Sequence, residues 1–124
     1  MMNVLWVFIG GGLGAAARYW LTGLTYRWLT PTFPAGVLVV NVLGCFLIGA
    51  VMSVFENRFA VNPAWRVFVT IGILGGFTTF SSFSYETIAL LRDQELFLAG
   101  MNVLANVVLC LIGTWIGLVL GRLV

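Results

Sequence analysis

Every residue from Thr78 to Tyr85 carries either a hydroxyl or a phenylalanine ring: Thr78-Thr79-Phe80-Ser81-Ser82-Phe83-Ser84-Tyr85. Hydroxyls both donate and accept hydrogen bonds, and a phenyl ring is electronegative on its face and electropositive at its edge. Such a run can replace part of the hydration shell of a small anion, the hydroxyls by donating and the rings by presenting their edges. On a continuous helix Thr79, Ser82, Phe83 and Glu86 fall within an arc of about 100°, with Phe80 about 60° beyond Phe83. Rings on the polar side of a membrane helix are unusual, because packing alone would place them with the apolar face. The competing readings are rings that plug a passage and ordinary i,i+3 packing of Phe80 on Phe83.

Conduction requires binding strong enough to admit an ion and weak enough to release it. A fixed arginine in the narrow part of an anion path would hold the ion too tightly, and no Lys or Arg falls in the middle of the apolar runs. Asn41 does fall in one. Its amide can donate to an anion, but it needs partners where bulk water is absent; the plainer reading is an asparagine that joins two helices. Asn41, Cys45, Gly49 and Ser53 recur every four residues and share a helical face. Asn102, Asn106, Cys110 and Thr114 form a second polar stripe, and Gly113, Gly117 and Gly121 a stripe for close packing. Cys45 and Cys110 read first as small buried apolar side chains. Two cysteines alone specify neither a disulfide nor a metal site.

The elements that position these residues follow from composition. The chain has 124 residues, 61% hydrophobic and 8% charged, against about 25% charged in a soluble domain. Charge-free runs cover Met1 to Ala17, Trp28 to Phe55, Val67 to Tyr85 and Leu96 to Gly121, each near or above the roughly 18–20 residues that cross a bilayer core. The expected architecture is an all-α membrane protein, one domain over residues 1–124, with spans at 2–22, 35–55, 65–91 and 97–121. The N-terminal run lacks a basic flank, and Gly10-Gly11-Gly12-Leu13-Gly14 interrupts it, so it reads as a span rather than a signal peptide. Pro31 and Pro34 mark the first loop. In the first span Gly10, Gly14 and Arg18 share a face; Arg18, near the span's end, can anchor at the interface or attract anions to a water-filled mouth. The third span would measure about 40 Å as continuous helix. Gly72, Gly75 and Gly76 offer a place to unwind, which is tolerated at membrane depth only where protein or water satisfies the freed backbone. Carbonyls exposed beside such a break are candidate cation ligands.

The six basic residues are all arginines and are scattered, which argues against nucleic acid. The spans put Arg58, Arg66 and Arg122 on one side of the membrane and Arg18, Arg27 and Arg92 on the other. Orientation normally follows an excess of Arg and Lys on the cytoplasmic side. With no excess, the expectation is insertion in both orientations and an antiparallel homodimer; a partner protein or unequal loop exposure could instead fix one orientation.

Gly75-Gly76-Phe77-Thr78-Thr79-Phe80-Ser81-Ser82-Phe83-Ser84 resembles the signature of the CrcB/Fluc family of fluoride channels. Gly11-Gly12-Leu13-Gly14-Ala15 leading to Arg18-Tyr19, Gly36 through Asn41 to Gly44, and Glu86 after the signature match in the same order. The resemblance covers essentially the whole chain. It implies a dual-topology homodimer with two fluoride pores, in a bacterial cytoplasmic membrane. Phe80 and Phe83 would be the pore phenylalanines and Asn41 the asparagine that supports fluoride passage. Thr79, Ser81, Ser82 and Glu86 would lie in or near a polar track, Arg18 at a vestibule and Thr114 at a fourth-span polar position. Gly75 and Thr78 would offer backbone carbonyls to a structural sodium ion at the dimer interface. Cys110 stands where family members carry serine, and a thiol is the weaker donor.

Two other functions compete. A small proton-coupled multidrug transporter needs an intramembrane acid, for which Glu86, near a span end, is the sole candidate. A non-transporting assembly subunit explains the glycines but not the hydroxyl–phenylalanine run. An intramembrane enzyme fits worse, with no serine–histidine pair, metal-ligand cluster or close pair of carboxylates.

Overall fold

The computed structural model describes residues 1–29, 31–57 and 61–124. Arg58, one of the arginines in the topology argument, lies outside them. Four helices, Met2–Trp28, Ala35–Asn57, Pro63–Arg92 and Leu96–Gly121, are long and apolar enough to cross a membrane. The first continues past Thr22 to Trp28, so Tyr26 and Arg27 are helical rather than in the loop. Local chemistry sets two of the ends. Asn62 caps the third helix by accepting from the Ala64 N–H at 2.9 Å, with Pro63 in the first turn. That helix closes at Gln94, whose φ of 61° lets Gln94 donate to Leu91 and Glu95 to Leu90 (3.1 and 2.9 Å).

Large apolar side chains such as Phe8, Trp20, Leu104 and Trp115 remain on the outside. In lipid they have no hydrophobic reason to turn inward, so the helices associate by close backbone approach at small residues. The second and fourth helices form the most extensive pair. A Cβ on Gly49 would land on the Thr114 carbonyl, one on Gly117 on the Phe46 carbonyl, and one on Gly121 within 2.6 Å of the Ala50 carbonyl. The first and third helices pair in the same way. A Cβ on Gly10 would lie 2.7 Å from the Phe68 carbonyl, and one on Gly14 would meet the Ile73 carbonyl.

The third helix changes partner along its length. Residues Phe68–Leu74 wind as π-helix and Gly75–Phe77 as α-helix, both against the first helix. Thr78 and Thr79 are extended, with φ/ψ of −79°/157° and −151°/115°. Phe80–Arg92 then resumes as α-helix and packs on the fourth helix. Gly72, Gly75 and Gly76, the positions expected to unwind, are themselves helical; Gly72 and Gly76 lie against the Gly10 and Gly11 backbone instead.

Overpacking a close contact typically costs about 1–3 kcal/mol. Gly14→Ala and Gly117→Ala are therefore expected to lower the thermal stability of the purified protein in detergent. Gly23→Ala, where an added Cβ meets nothing within 4 Å, is expected to be neutral or to gain about 0.8–1 kcal/mol from helix propensity. Equal loss at all three positions would show that the glycine contacts do not set the packing.

Candidate functional site

The extended residues carry a backbone problem that Asn41 solves. The Thr79 N–H donates to Asn41 Oδ1 at 2.8 Å, and Asn41 Nδ2 donates back to the Thr79 carbonyl at 3.0 Å. The carboxamide of the second helix thus takes the place of a neighbouring peptide. Its second amide hydrogen goes to Asn106 Oδ1 at 3.2 Å. Asn106 Nδ2 donates to the carbonyl and to Oδ1 of Asn102 (2.9 and 3.0 Å). Asn102 Nδ2 donates to Thr87 Oγ1 at 3.0 Å, and Thr87 Oγ1 to the Phe83 carbonyl at 2.8 Å. One directed chain therefore runs from Thr79 through three buried asparagines back to the helical turn that carries Phe83. Because Thr79 presents one donor and one acceptor, the orientation of each amide follows in turn.

Thr79 also caps the second half of the third helix. Its Oγ1 accepts from the Ser82 N–H at 3.1 Å, and its hydroxyl pairs with Ser82 Oγ at 3.0 Å and Ser81 Oγ at 3.2 Å. These contacts gather three hydroxyls at the first turn of a helix, where the N–H groups without intrahelical partners favour negative charge.

Two pockets meet at Thr79. One, of about 360 Å³, is lined by Asn41, Cys45, Thr78, Thr79, Phe80, Phe83, Asn106, Val107, Cys110 and Leu111, with no charged side chain among them. Phe80 and Phe83 stand 5.3 Å apart between ring centroids, tilted by 57°; Phe83 is buried and Phe80 exposed. The other pocket, of about 630 Å³, includes Arg18, Tyr26, Arg27, Thr79, Ser82 and Glu86. Tyr26 Oη donates to Glu86 Oε1 at 3.5 Å, while Glu86 Oε2 is buried without a hydrogen-bond partner among the described residues.

The single polar face expected of a continuous helix is thus divided. Thr79 is a cap, not a helical residue, and lines both pockets; in the helix that follows, Phe80 and Phe83 line the uncharged pocket and Ser82 and Glu86 the charged one. Ser81 is exposed and lines neither, although it touches the Thr79 hydroxyl. Thr114 lines neither; its hydroxyl bonds back to the Cys110 carbonyl at 3.0 Å. Cys45 and Cys110 are half-buried on a pocket wall rather than enclosed. Both Asn41 amide hydrogens are engaged, so its evident task is to hold Thr79 in place. The sequence reading missed Asn106 and Asn102 as the residues that orient Asn41; their membership of one polar stripe was the available signal. It also missed Tyr26 beside Glu86, for which no spacing gives a clue.

The two carbonyls considered for a cation keep free lone pairs. Thr79 and Ser82, the residues four beyond Gly75 and Thr78, direct their N–H groups to side-chain oxygens of Asn41 and Thr79. No backbone N–H among the described residues reaches either carbonyl from outside its helix. Arg18 Nη1 donates to the Thr78 carbonyl at 3.2 Å, which places Arg18 at the end of the Gly10–Gly14 face rather than out at the headgroups. Backbone carbonyls are fitting ligands for a hard monovalent cation.

Residues 5–118 match the family described as CrcB-like protein, Camphor Resistance (CrcB). The chain belongs to that family. Similar relatives carry the name fluoride-specific ion channel FluC. One from Geobacter sulfurreducens is 48% identical over 98% of both chains, and one from Geotalea daltonii 47% identical over the same share. A third, from Methylocella silvestris, is 48% identical over 94% of this chain and 90% of its own. The family match spans all four helices, so the paired pockets and the asparagine chain lie within it.

Removing the Asn41 side chain orphans the Thr79 N–H and carbonyl together, at about 1–3 kcal/mol for each buried group. Asn41→Ala is expected to lower thermal stability in detergent more than Thr114→Ala, which removes only a local back-bond. Asn41→Asp is expected to fail as well, because a carboxylate accepts from the Thr79 N–H but donates to neither the Thr79 carbonyl nor Asn106. An unaltered melting temperature in both Asn41 variants would remove Asn41 from this role.

Proposed function

We propose that the protein is a fluoride-selective channel that lets fluoride leave the cell down its own gradient, across the cytoplasmic membrane. The observation that carries this reading is the uncharged pocket, in which Phe80 and Phe83 stand beside the Thr79 hydroxyl cluster. The names of the relatives point the same way. Fluoride enters from the Arg18 side, where the guanidinium raises the local anion concentration. It then exchanges water for the hydroxyls at the helix start and for phenyl edges. Without a fixed cation in that pocket, the ion is released as readily as it is bound.

The working unit in this reading is an antiparallel homodimer with both orientations in the membrane. Gly75 is exposed and its carbonyl lacks a helical donor; at membrane depth such a group needs a protein partner or an ion. Gly75 and Thr78 from two chains would supply four carbonyls to a structural sodium ion, Gly75 with a carbonyl that lacks a helical donor and Thr78 with the lone pair that Arg18 leaves open. Phe80, exposed in one chain, would be covered by the second copy. The even placement of arginines leaves both orientations open.

Ion efflux from liposomes tests the channel. Rapid fluoride loss with little chloride loss is expected, and Phe80→Ile should slow it at least about tenfold, equivalent to about 1.4 kcal/mol of barrier. Equal permeation of the two halides, or none through well-inserted protein, overturns the assignment. For the cation, ion-replacement diffraction is expected to show density between the Gly75 and Thr78 carbonyls of two chains; its absence there sinks the sodium site while leaving the channel standing.

A further inference from the structure

The second and fourth helices run in the same direction and in a fixed register. Asn41 bonds Asn106, and a Cβ on Gly49 would meet the Thr114 carbonyl. Cys45 lies one turn beyond Asn41 and one before Gly49; Cys110 lies one turn beyond Asn106 and one before Thr114. With contacts above and below, the register sets Cys45 opposite Cys110, and both line the uncharged pocket beside Phe80 and Phe83. Both thiols are free.

Two facing thiols define the kind of ligand they can take. Zinc would need about four protein ligands in a closed site, and no group of three or more His, Cys, Asp or Glu side chains occurs among the described residues. A soft cation content with two sulfur ligands needs nothing more. Charge narrows the choice further. A monovalent soft cation on two thiolates would leave a negative charge in a low-dielectric wall beside an anion path, whereas a divalent one leaves none.

We propose that Cys45 and Cys110 form a two-thiol site for a soft, divalent, two-coordinate cation, of which mercuric ion is the representative, and that its occupation obstructs the anion path. On binding, two S–H bonds break, two metal–sulfur bonds form and two protons leave through the pocket mouth; no atom changes oxidation state. The bound metal sits in the wall between Asn41 and the phenylalanine pair and removes the Cys110 thiol as a donor. The obstruction rests on the channel reading above; the metal site does not.

Mercuric chloride is the probe, and two measurements separate those parts. In detergent, one equivalent per chain is expected to consume both thiols of the unaltered protein. Against a monothiol competitor, the metal should be held at least about tenfold more tightly than by Cys45→Ser or Cys110→Ser, since a second thiol on the same chain acts at high effective concentration. A requirement for two equivalents, or equal retention by the single variants, overturns the site whatever the protein transports. In liposomes, with each protein normalised to its own untreated fluoride efflux, the unaltered protein should be half-blocked at a concentration at least about tenfold lower than either variant. One-to-one binding with undiminished efflux overturns the placement in the ion path and leaves the metal site intact.

Discussion

An extended peptide at membrane depth has nowhere to send its hydrogen bonds, since bulk water is excluded and its own helix has ended. At Thr79 the problem is answered by the side chain of Asn41, which accepts from its N–H and donates to its carbonyl. That exchange allows the third helix to stop and restart without leaving a buried orphan. The fold depends on it because the restarted Phe80–Arg92 packs chiefly on the fourth helix, keeping Tyr26–Glu86 as a link to the first. Phe80 and Phe83 thereby come to face the second and fourth helices across a pocket.

The three asparagines extend the constraint sideways. Each amide is oriented by the next, so Asn41 cannot turn to serve another partner without breaking contacts at Asn106 and, beyond it, Asn102. The chain ends at Thr87 and the Phe83 carbonyl, on the same turn as the ring it positions. A polar network of this kind is costly if half-satisfied and rigid if complete. Here the members named are complete, and the amide that looked free to greet an ion is engaged in holding Thr79 and Asn106.

Glycine contacts and the pockets are two outcomes of one packing scheme. Helix pairs approach closely at Gly10, Gly14, Gly49 and Gly117 because lipid gives them no hydrophobic reason to associate. Beside Asn41, Cys45, Asn106 and Cys110, where the third helix is extended, a gap remains. The uncharged pocket is the space left between tightly paired helices, and its chemistry is that of the side chains that line it.

The sequence by itself determined the four spans, because apolar runs of bilayer length leave little else to build. It determined the glycine faces, because a spacing of four is a property of any helix. It also singled out the hydroxyl–phenylalanine run and Asn41 as exceptions to apolar filling, and the motif determined the family. Only the tertiary structure decided how those exceptions divide. A helical wheel assumes that the helix continues, and it merges Thr79, Ser82, Phe83 and Glu86 into one face. The extended Thr78–Thr79 pair takes Thr79 off that wheel, and the packing of the restarted helix splits the rest of the face, with Phe83 on an uncharged pocket and Ser82 with Glu86 on a charged one. Of the glycines read as the weak point, Gly72 and Gly76 proved to be contact surface. The extended pair came two residues later, where an asparagine on another helix could satisfy the backbone. Such pairings join residues as far apart as Asn41 and Thr79 or Tyr26 and Glu86, and no local spacing encodes them.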